Sequence, residues 1–266
     1  MNKDDPRKNY WNKEYLEYWR SRVNEAGTGR SKVILDDPNT EDDAVYENIF
    51  DRHGFCKGNL LDVGCAWGRM FPLFIGHGLV ISGVDISKAM IEVAKEEWQN
   101  NIDIKELRES SAEELPFADE SFDNLACLAV LDATYQNLAL TEFLRVTKPG
   151  AHIYITGKND LYFQNDKEAY AAEVGARKKN HPNFFTDTKQ LIQLLQKQGH
   201  ILEQGYFFLR RGDFAAFKYQ HKMPKRFYEY LLVITRSDTY EILPEISDAY
   251  SKTFKELNQA TKEDKF

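Results

Sequence analysis

Short apolar runs alternate along this chain with segments whose apolar residues recur at helical spacing. Leu60, Leu61 and Val63 surround one acid, Asp62. That is how a strand buried on both faces reads, with an acid near its carboxyl end. An apolar, helix-like stretch follows over 70–75, and its Pro72 falls in the first turn, where a missing N–H costs nothing. Residues 79–85 form a second apolar run, again ending in an acid, Asp85. Ser87 is a good cap for the next helix, whose apolar face is Ala89, Met90, Val93 and Ala94. Residues 102–108 and 122–131 read as a third and a fourth strand. A helix ending at Lys148-Pro149-Gly150 leads into a fifth strand over 151–156. Strands alternating with helices predict an α/β fold with a parallel sheet.

The two ends of the chain read differently. Over 10–26, Trp11, Tyr15, Tyr18, Trp19 and Arg22 recur at helical spacing, an amphipathic helix with an aromatic stripe that Gly27-Thr28-Gly29 ends. The stripe either packs on the main domain or closes over a ligand pocket. Residues 36–51 hold seven acids and no base. Thr40 is placed to cap a second helix there, with Val45, Ile49 and Phe50 inward and the acids on a solvated face. Residues 159–183 form a polar insertion with a short helix around 166–176. Thr186 or Asp187 caps a further helix, apolar at Leu191, Ile192, Leu194 and Leu195 and stopped by Gly199. Residues 201–209 and 227–235 read as the last strands, and 237–266 as a helical tail. The expected domains are a helical cap over 1–54, a main domain over 55–237 carrying the insertion, and a tail over 238–266.

Chemistry concentrates at the first strand–helix junction. After Asp62 the chain reads Val63-Gly64-Cys65-Ala66-Trp67-Gly68-Arg69. Glycines there allow close backbone approach by a ligand, and the helix start offers unpaired N–H groups. A dinucleotide site would show G-x-G-x-x-G. Here the glycines are four apart, and a carboxylate stands two residues before the first. A pyrophosphate would be repelled by Asp62, whereas an ammonium group would be held. Asp85 lies 21 residues after Gly64, placed to accept both hydroxyls of a ribose.

The segment Asp62 to Gly68 resembles the first motif, D/E-x-G-x-G-x-G, of the class I S-adenosylmethionine-dependent methyltransferases, with Ala66 in place of the middle glycine. The run Ser111-Ala112-Glu113-Glu114-Leu115-Pro116-Phe117 is similar to the adenine-holding D-A-E-x-L-P-F segment of that family, with Ser111 replacing the acid. The helix, Lys-Pro-Gly turn and strand after the fourth strand also follow the family, so the resemblance covers 59–157. It implies a Rossmann-like, seven-stranded, mostly parallel sheet with helices on both faces. The implied cofactor is S-adenosyl-L-methionine, leaving as S-adenosyl-L-homocysteine. Its methionine end falls to Asp62, Gly64 and Arg69, its ribose to Asp85, and its adenine to Ile86, Ser111 and Ala112. Cys65, Ala66, Gly68, Glu113 and Leu128 complete the implied site.

The acceptor side is less defined. Asp132 and Tyr135 lie just past the fourth strand, and His181 lies in the insertion. Each is a candidate base or anchor, and each is equally well read as a packing or surface residue. Residues 210–226 carry six bases and one acid with aromatics between them. They read as a solvated connection or as a surface for an anionic, sugar-like acceptor. The net charge of −7 argues against nucleic acid as a partner. Cys56, Cys65 and Cys127 are scattered without metal-ligand spacing, pointing to reduced thiols and no metal. No run has membrane-spanning length, so a cytoplasmic monomer or homodimer is expected. The expected function is O-methylation of a small molecule. The rivals are an RNA or protein methyltransferase and a non-catalytic subunit on the same fold.

Overall fold

The computed structural model describes residues 5–11, 15–17, 42–181, 183–211 and 219–263. The outer part of the aromatic stripe, including Tyr18, Trp19 and Arg22, lies outside them, as do Thr40 and residues 212–218 of the basic stretch.

The strand at the centre is β1 (Asn59–Val63), in which Leu60 and Leu61 are fully buried on opposite faces. It pairs in parallel with β2 (Val80–Asp85) on one side and β4 (Phe122–Cys127) on the other. β3 (Ile104–Glu109) extends the sheet beyond β2, and β5 (Thr147–Lys158) lies beyond β4. Two antiparallel strands follow at that side, β9 (Glu229–Thr235) against β5 and then β7 (Ile201–Phe208). A two-residue edge strand, β8 (Tyr219–Gln220), brings the sheet to eight strands among the described residues, one more than the seven expected, in the order β3-β2-β1-β4-β5-β9-β7-β8.

The chain leaves β1 toward one edge and returns to β4 on the other side of β1. That reversal opens a crevice at the carboxyl ends of β1 and β4, where open α/β sheets bind ligands. The period-two alternation of the strands divides the core. Leu61, Leu125, Ile153 and Ile155 face one layer, with α5 (Gln136–Val146) and α7 (Thr188–Lys197). Leu60, Ala126, Tyr154 and Val233 face the other. There α3 (Phe71–Gly76) and α4 (Lys88–Trp98) pack on the sheet. Ser87 caps α4 by accepting from Met90 N–H at 3.3 Å.

The N-terminal cap divides. α1 (Pro6–Tyr10) reaches the strand ends. The acid-rich α2 (Asp42–His53) instead joins the sheet's face through Val45, Tyr46, Ile49 and Phe50, with the Phe50 ring 5.1 Å from that of Tyr154. The insertion carries α6 (Lys167–Lys178), capped by Asp166. The tail is irregular over its first half and helical only beyond it. Before α8 (Lys252–Glu263) it contributes β10 (Ser247–Asp248), which pairs with β6 (Phe185–Thr186). Buried Glu173 of α6 explains this course: it accepts from Tyr162 Oη at 2.8 Å and Ser251 Oγ at 2.9 Å, tying tail to insertion.

Candidate functional site

The glycine turn bends as its composition requires. Gly64 has φ +77°, and a Cβ there would lie 2.3 Å from the Val130 side chain. Its N–H and that of Cys65 both donate to Val84 O, at 2.8 and 3.0 Å. Ala66 also sits in the left-handed region, at φ 50°, where a side chain costs on the order of 1 kcal/mol. So does Ala129 beyond β4, at φ 56°, whose N–H donates to Thr156 Oγ1 at 2.6 Å. Non-glycine residues held in this region cluster at functional sites. Gly68 serves packing beneath the turn, since a Cβ there would strike the Phe71 ring and Trp98 Nε1.

These elements enclose a cavity of about 200 Å³ at the carboxyl ends of β1, β2 and β4. Of the residues the motif singles out, Asp62, Gly64, Cys65, Ala66, Arg69, Asp85, Ile86, Ala112, Glu113 and Leu128 line it. Ser110 lines it as well, its Oγ donating to Glu114 O at 2.8 Å, whereas neighbouring Ser111 and Gly68 do not. Arg7, Trp11, Tyr15 and Thr134 close the opposite side.

Two carboxylates, Asp62 buried and Asp85 half-buried, give the cavity its character. Burial, with the Asp85 charge second, pushes Asp62 up to about 7, while Arg69 works against the shift. Burial also raises Asp85 to about 6, despite N–H donors from Ser87 at 2.8 Å and Ala66 at 2.9 Å. Those two donors fix the Asp85 carboxylate on the turn. A carboxylate accepts at about four lone-pair positions, so two remain for ligand hydroxyls. Two acids made costly by burial form a site that a cationic ligand relieves. The lining fits S-adenosylmethionine: acids for its ammonium and ribose, apolar Ile86, Met90 and Leu128 for its base. Burial pushes the Cys65 thiol well above its ordinary range, so this cysteine sits in the wall as a neutral group.

The closing side is held by ion pairs between residues distant in sequence. The buried Arg7 guanidinium meets Glu113 Oε1 at 2.5 Å and Asp5 Oδ2 at 2.6 Å, and donates to Ala133 O at 3.3 Å. Burial opposes its charge, but these acids hold it protonated above its ordinary value. Glu113 also accepts from Tyr135 N–H at 2.7 Å, and Arg7 lies over the Tyr135 ring, 4.7 Å from its centre. Lys8 pairs with Glu109 at 2.6 Å. The His181 ring packs edge-on against Tyr10 and Trp11, at 4.5 and 5.1 Å. Asp132 lies behind the wall, paired with Lys158 at 2.6 Å. Burial would raise its carboxyl, but Lys158 holds it below the usual range.

Sequence reasoning missed Arg7, Ser110 and Lys158. A lone arginine before an aromatic stripe gives no signal of a partner 106 residues away. Arg210 and Arg226 turn inward to tie the insertion, Arg210 to Asn165 at 2.8 Å and Arg226 to Tyr162 O at 2.8 Å. Among the described residues, none of 210–226 lines the cavity. Cys56, Cys65 and Cys127 are free thiols. Among the described residues, no group of side chains is arranged to hold a metal, and no helix is long and apolar enough to cross a membrane.

Residues 61–155 match the family model described as Methyltransferase domain. Phosphatidylethanolamine N-methyltransferase of Cereibacter sphaeroides is 31% identical over 118 residues, covering 43% of this chain and 56% of that protein. A ubiquinone biosynthesis O-methyltransferase of Alkalilimnicola ehrlichii is 30% identical over 166 residues, covering 59% of each. The chain thus spans little more than half the length of these relatives. Among solved structures, geranyl diphosphate C-methyltransferase of Streptomyces coelicolor A3(2) superposes with a TM-score of 0.56 at 13% identity, over 73% of this chain and 79% of that one, which shows a shared fold. The acid-flanked glycine turn and the second acid, at the end of β2, both lie within residues 61–155, the stretch that matches the methyltransferase domain.

Proposed function

We propose that the chain is an S-adenosylmethionine-dependent methyltransferase that methylates an oxygen of a small molecule. The observation that carries the reading is the pair of carboxylates, buried Asp62 and half-buried Asp85, on one glycine turn in a cavity roofed by Trp11 and Tyr15. Bound there, the sulfonium donor supplies a methyl group whose leaving group departs neutral. The protein's work is therefore alignment and exclusion of water. Asp62 and the Gly64 backbone orient the ammonium end, with Arg69 on the carboxylate. Asp85 holds the ribose, and Ile86, Ala112 and Leu128 set the base. Ser110 joins Ser111 as a candidate for the base's polar edge.

An oxygen acceptor must also lose a proton. His181 is the proton acceptor in this reading, because it abuts the aromatic wall and histidine is the side chain suited to exchanging protons near neutral pH. Asp132, held as an anion by Lys158, orients that region, and Tyr135 buttresses Arg7. The O-methyltransferase name of the Alkalilimnicola relative supports oxygen as the target. A small, concave and largely apolar cavity favours a small acceptor over a polymer, and the described residues of 210–226 lie outside its lining.

The test is calorimetry with S-adenosylhomocysteine and NAD, followed by turnover across small phenols, alcohols, amines and bulk RNA, reading S-adenosylhomocysteine release. Binding of the methionine nucleoside alone, with turnover on a small hydroxyl compound, is expected. NAD binding would remove the donor assignment. Turnover on amines alone would remove oxygen as the target, and turnover on RNA alone would remove the small acceptor.

A further inference from the structure

Lys158 ends β5 with its charge inside the protein, and the cofactor reading gives it no role. Its ammonium meets Asp132 Oδ2 at 2.6 Å, in the helical turn that follows β4. It also donates to Asn183 Oδ1 at 2.9 Å, in the loop that follows His181. The same two segments are joined again by the backbone: Phe184 N–H donates to Asp132 O at 2.7 Å. Gln136 adds a third tie, donating to Phe184 O at 3.3 Å and accepting from Thr186 Oγ1 at 2.8 Å. One cation therefore fastens the end of β5, the turn after β4 and the loop of the insertion at a single point.

What rests on that point is the closing side of the cavity. The turn after β4 supplies Ala133 and Thr134 to the lining. The loop presents His181 to Trp11, itself a lining residue. His181 is also near enough for its charge to act on Asp132. Burying a lysine is costly unless its charge is matched and hydrogen-bonded, and here Asp132 and Asn183 do both. Stability alone is a weak reason for such a pair, since well-packed apolar residues often serve as well.

We propose that Lys158 is a positioning residue for methyl transfer: by gripping Asp132 and Asn183 together it fixes the acceptor-facing wall of Ala133 and Thr134, with His181 packed against Trp11, relative to the cofactor-binding strands. The proposal rests on the methyltransferase reading above. It separates two halves of the site, because the residues Lys158 grips are not those assigned to the donor. Removing it should therefore loosen the acceptor wall and leave donor binding as it was.

The test compares the full chain with Lys158→Met, Lys158→Arg and the paired Lys158→Met/Asp132→Leu, with S-adenosylhomocysteine as the probe. The paired variant removes the unmatched buried acid, so it keeps the test decisive if Lys158→Met alone does not fold. Hydrogen exchange should quicken at least about tenfold at Phe184 and its loop in the Met variants, while Gly64 and Cys65 keep their protection. The dissociation constant for S-adenosylhomocysteine should stay within about threefold. Turnover on the best small acceptor should fall about thirtyfold or more in both Met variants, and Lys158→Arg should recover most of it. Unchanged exchange at Phe184 overturns the grip. Full turnover in the paired variant overturns the positioning role, because the pair would then be only structural. A wild-type chain that does not bind S-adenosylhomocysteine instead overturns the methyltransferase reading, and the exchange result still decides whether Lys158 holds the wall.

Discussion

The donor half and the acceptor half of the cavity are built in opposite ways. The donor half is local and dominated by backbone. Asp62, Gly64 and Ala66 share one strand and turn, and Asp85 reaches that turn from the next strand through a 2.9 Å bond to Ala66 N–H. The acceptor half is assembled from side chains far apart in sequence: Arg7 on Glu113, Trp11 on His181, Lys158 on Asp132. A ligand common to a whole family is held by features that the fold itself imposes. A ligand particular to one chain is enclosed by additions to the fold, here α1 and the residues just after it, with the insertion packed behind them through His181 on Trp11. Perturbing the first half should change donor affinity, and perturbing the second should change closure and turnover.

The sharpest break is Asp85→Ala. It removes acceptors for two hydroxyls, on the order of 2–4 kcal/mol of donor affinity by calorimetry, and leaves the melting temperature nearly unchanged because the acid already sits under a burial cost. Unaltered affinity would detach Asp85 from the ligand. Next is Arg7→Met, which strands Glu113 and frees α1. We expect a loss of about 1–3 kcal/mol of local stability, seen as faster hydrogen exchange in residues 5–11. Donor affinity should change by less than about threefold. A large loss of donor affinity would show that the two halves are not separable.

How far these halves could be read from sequence follows the same division. The strands, the glycine turn and the capped helices obey periodicity and turn chemistry, signals carried within a few residues. Most emerged within a residue or two of expectation, but the fourth strand stops at Cys127, where the chain turns toward Ala129 in the left-handed region, and β5 begins at Thr147, four residues early, taking in the Lys148-Pro149-Gly150 turn. Ser110 rather than Ser111 lines the cavity because it follows directly on β3, where its N–H donates to Asp85 O at 2.9 Å and holds it beside that acid. The aromatic stripe left open whether it packs on the domain or faces a pocket; Trp11 and Tyr15 line the cavity, and nothing in the stripe announced Arg7. The tail reads as helical by composition, yet the residues before α8 form no helix, because Ser251 is tied to Glu173 of the insertion and β10 pairs with β6. Lys158 was invisible for the same reason: a buried charge is recognised by its partner, and Asp132 lies 26 residues earlier in the chain.

Two smaller effects refine the donor half. Asp62 titrates near 7 when folded, above its ordinary 3.8. The stability it contributes to the ligand-free protein is therefore fully present below about 3.8 and is lost as pH rises through about 7. An ammonium partner needs the carboxylate. Donor affinity should thus rise about tenfold from about pH 6 to about pH 8, with proton release at the lower end, measured by calorimetry in buffers of different ionisation enthalpy. Asp62→Asn should flatten that profile. The smallest effect is Ala66→Gly. It relieves a left-handed alanine while adding freedom to the unfolded chain, for a net gain of up to about 1 kcal/mol in thermal unfolding. A loss instead would mean that the alanine methyl makes a compensating contact.

The central claim is that the carboxylates of this turn hold a methionine nucleoside. Calorimetric titration of the wild-type chain and of Asp85→Ala with S-adenosylhomocysteine, at a pH above the Asp62 transition, tests it most directly. The account predicts one site per chain in the wild type and a dissociation constant at least about thirtyfold weaker in the variant, corresponding to the lower end of the expected 2–4 kcal/mol. Equal affinity in the two proteins, or no heat of binding in the wild type, would contradict it.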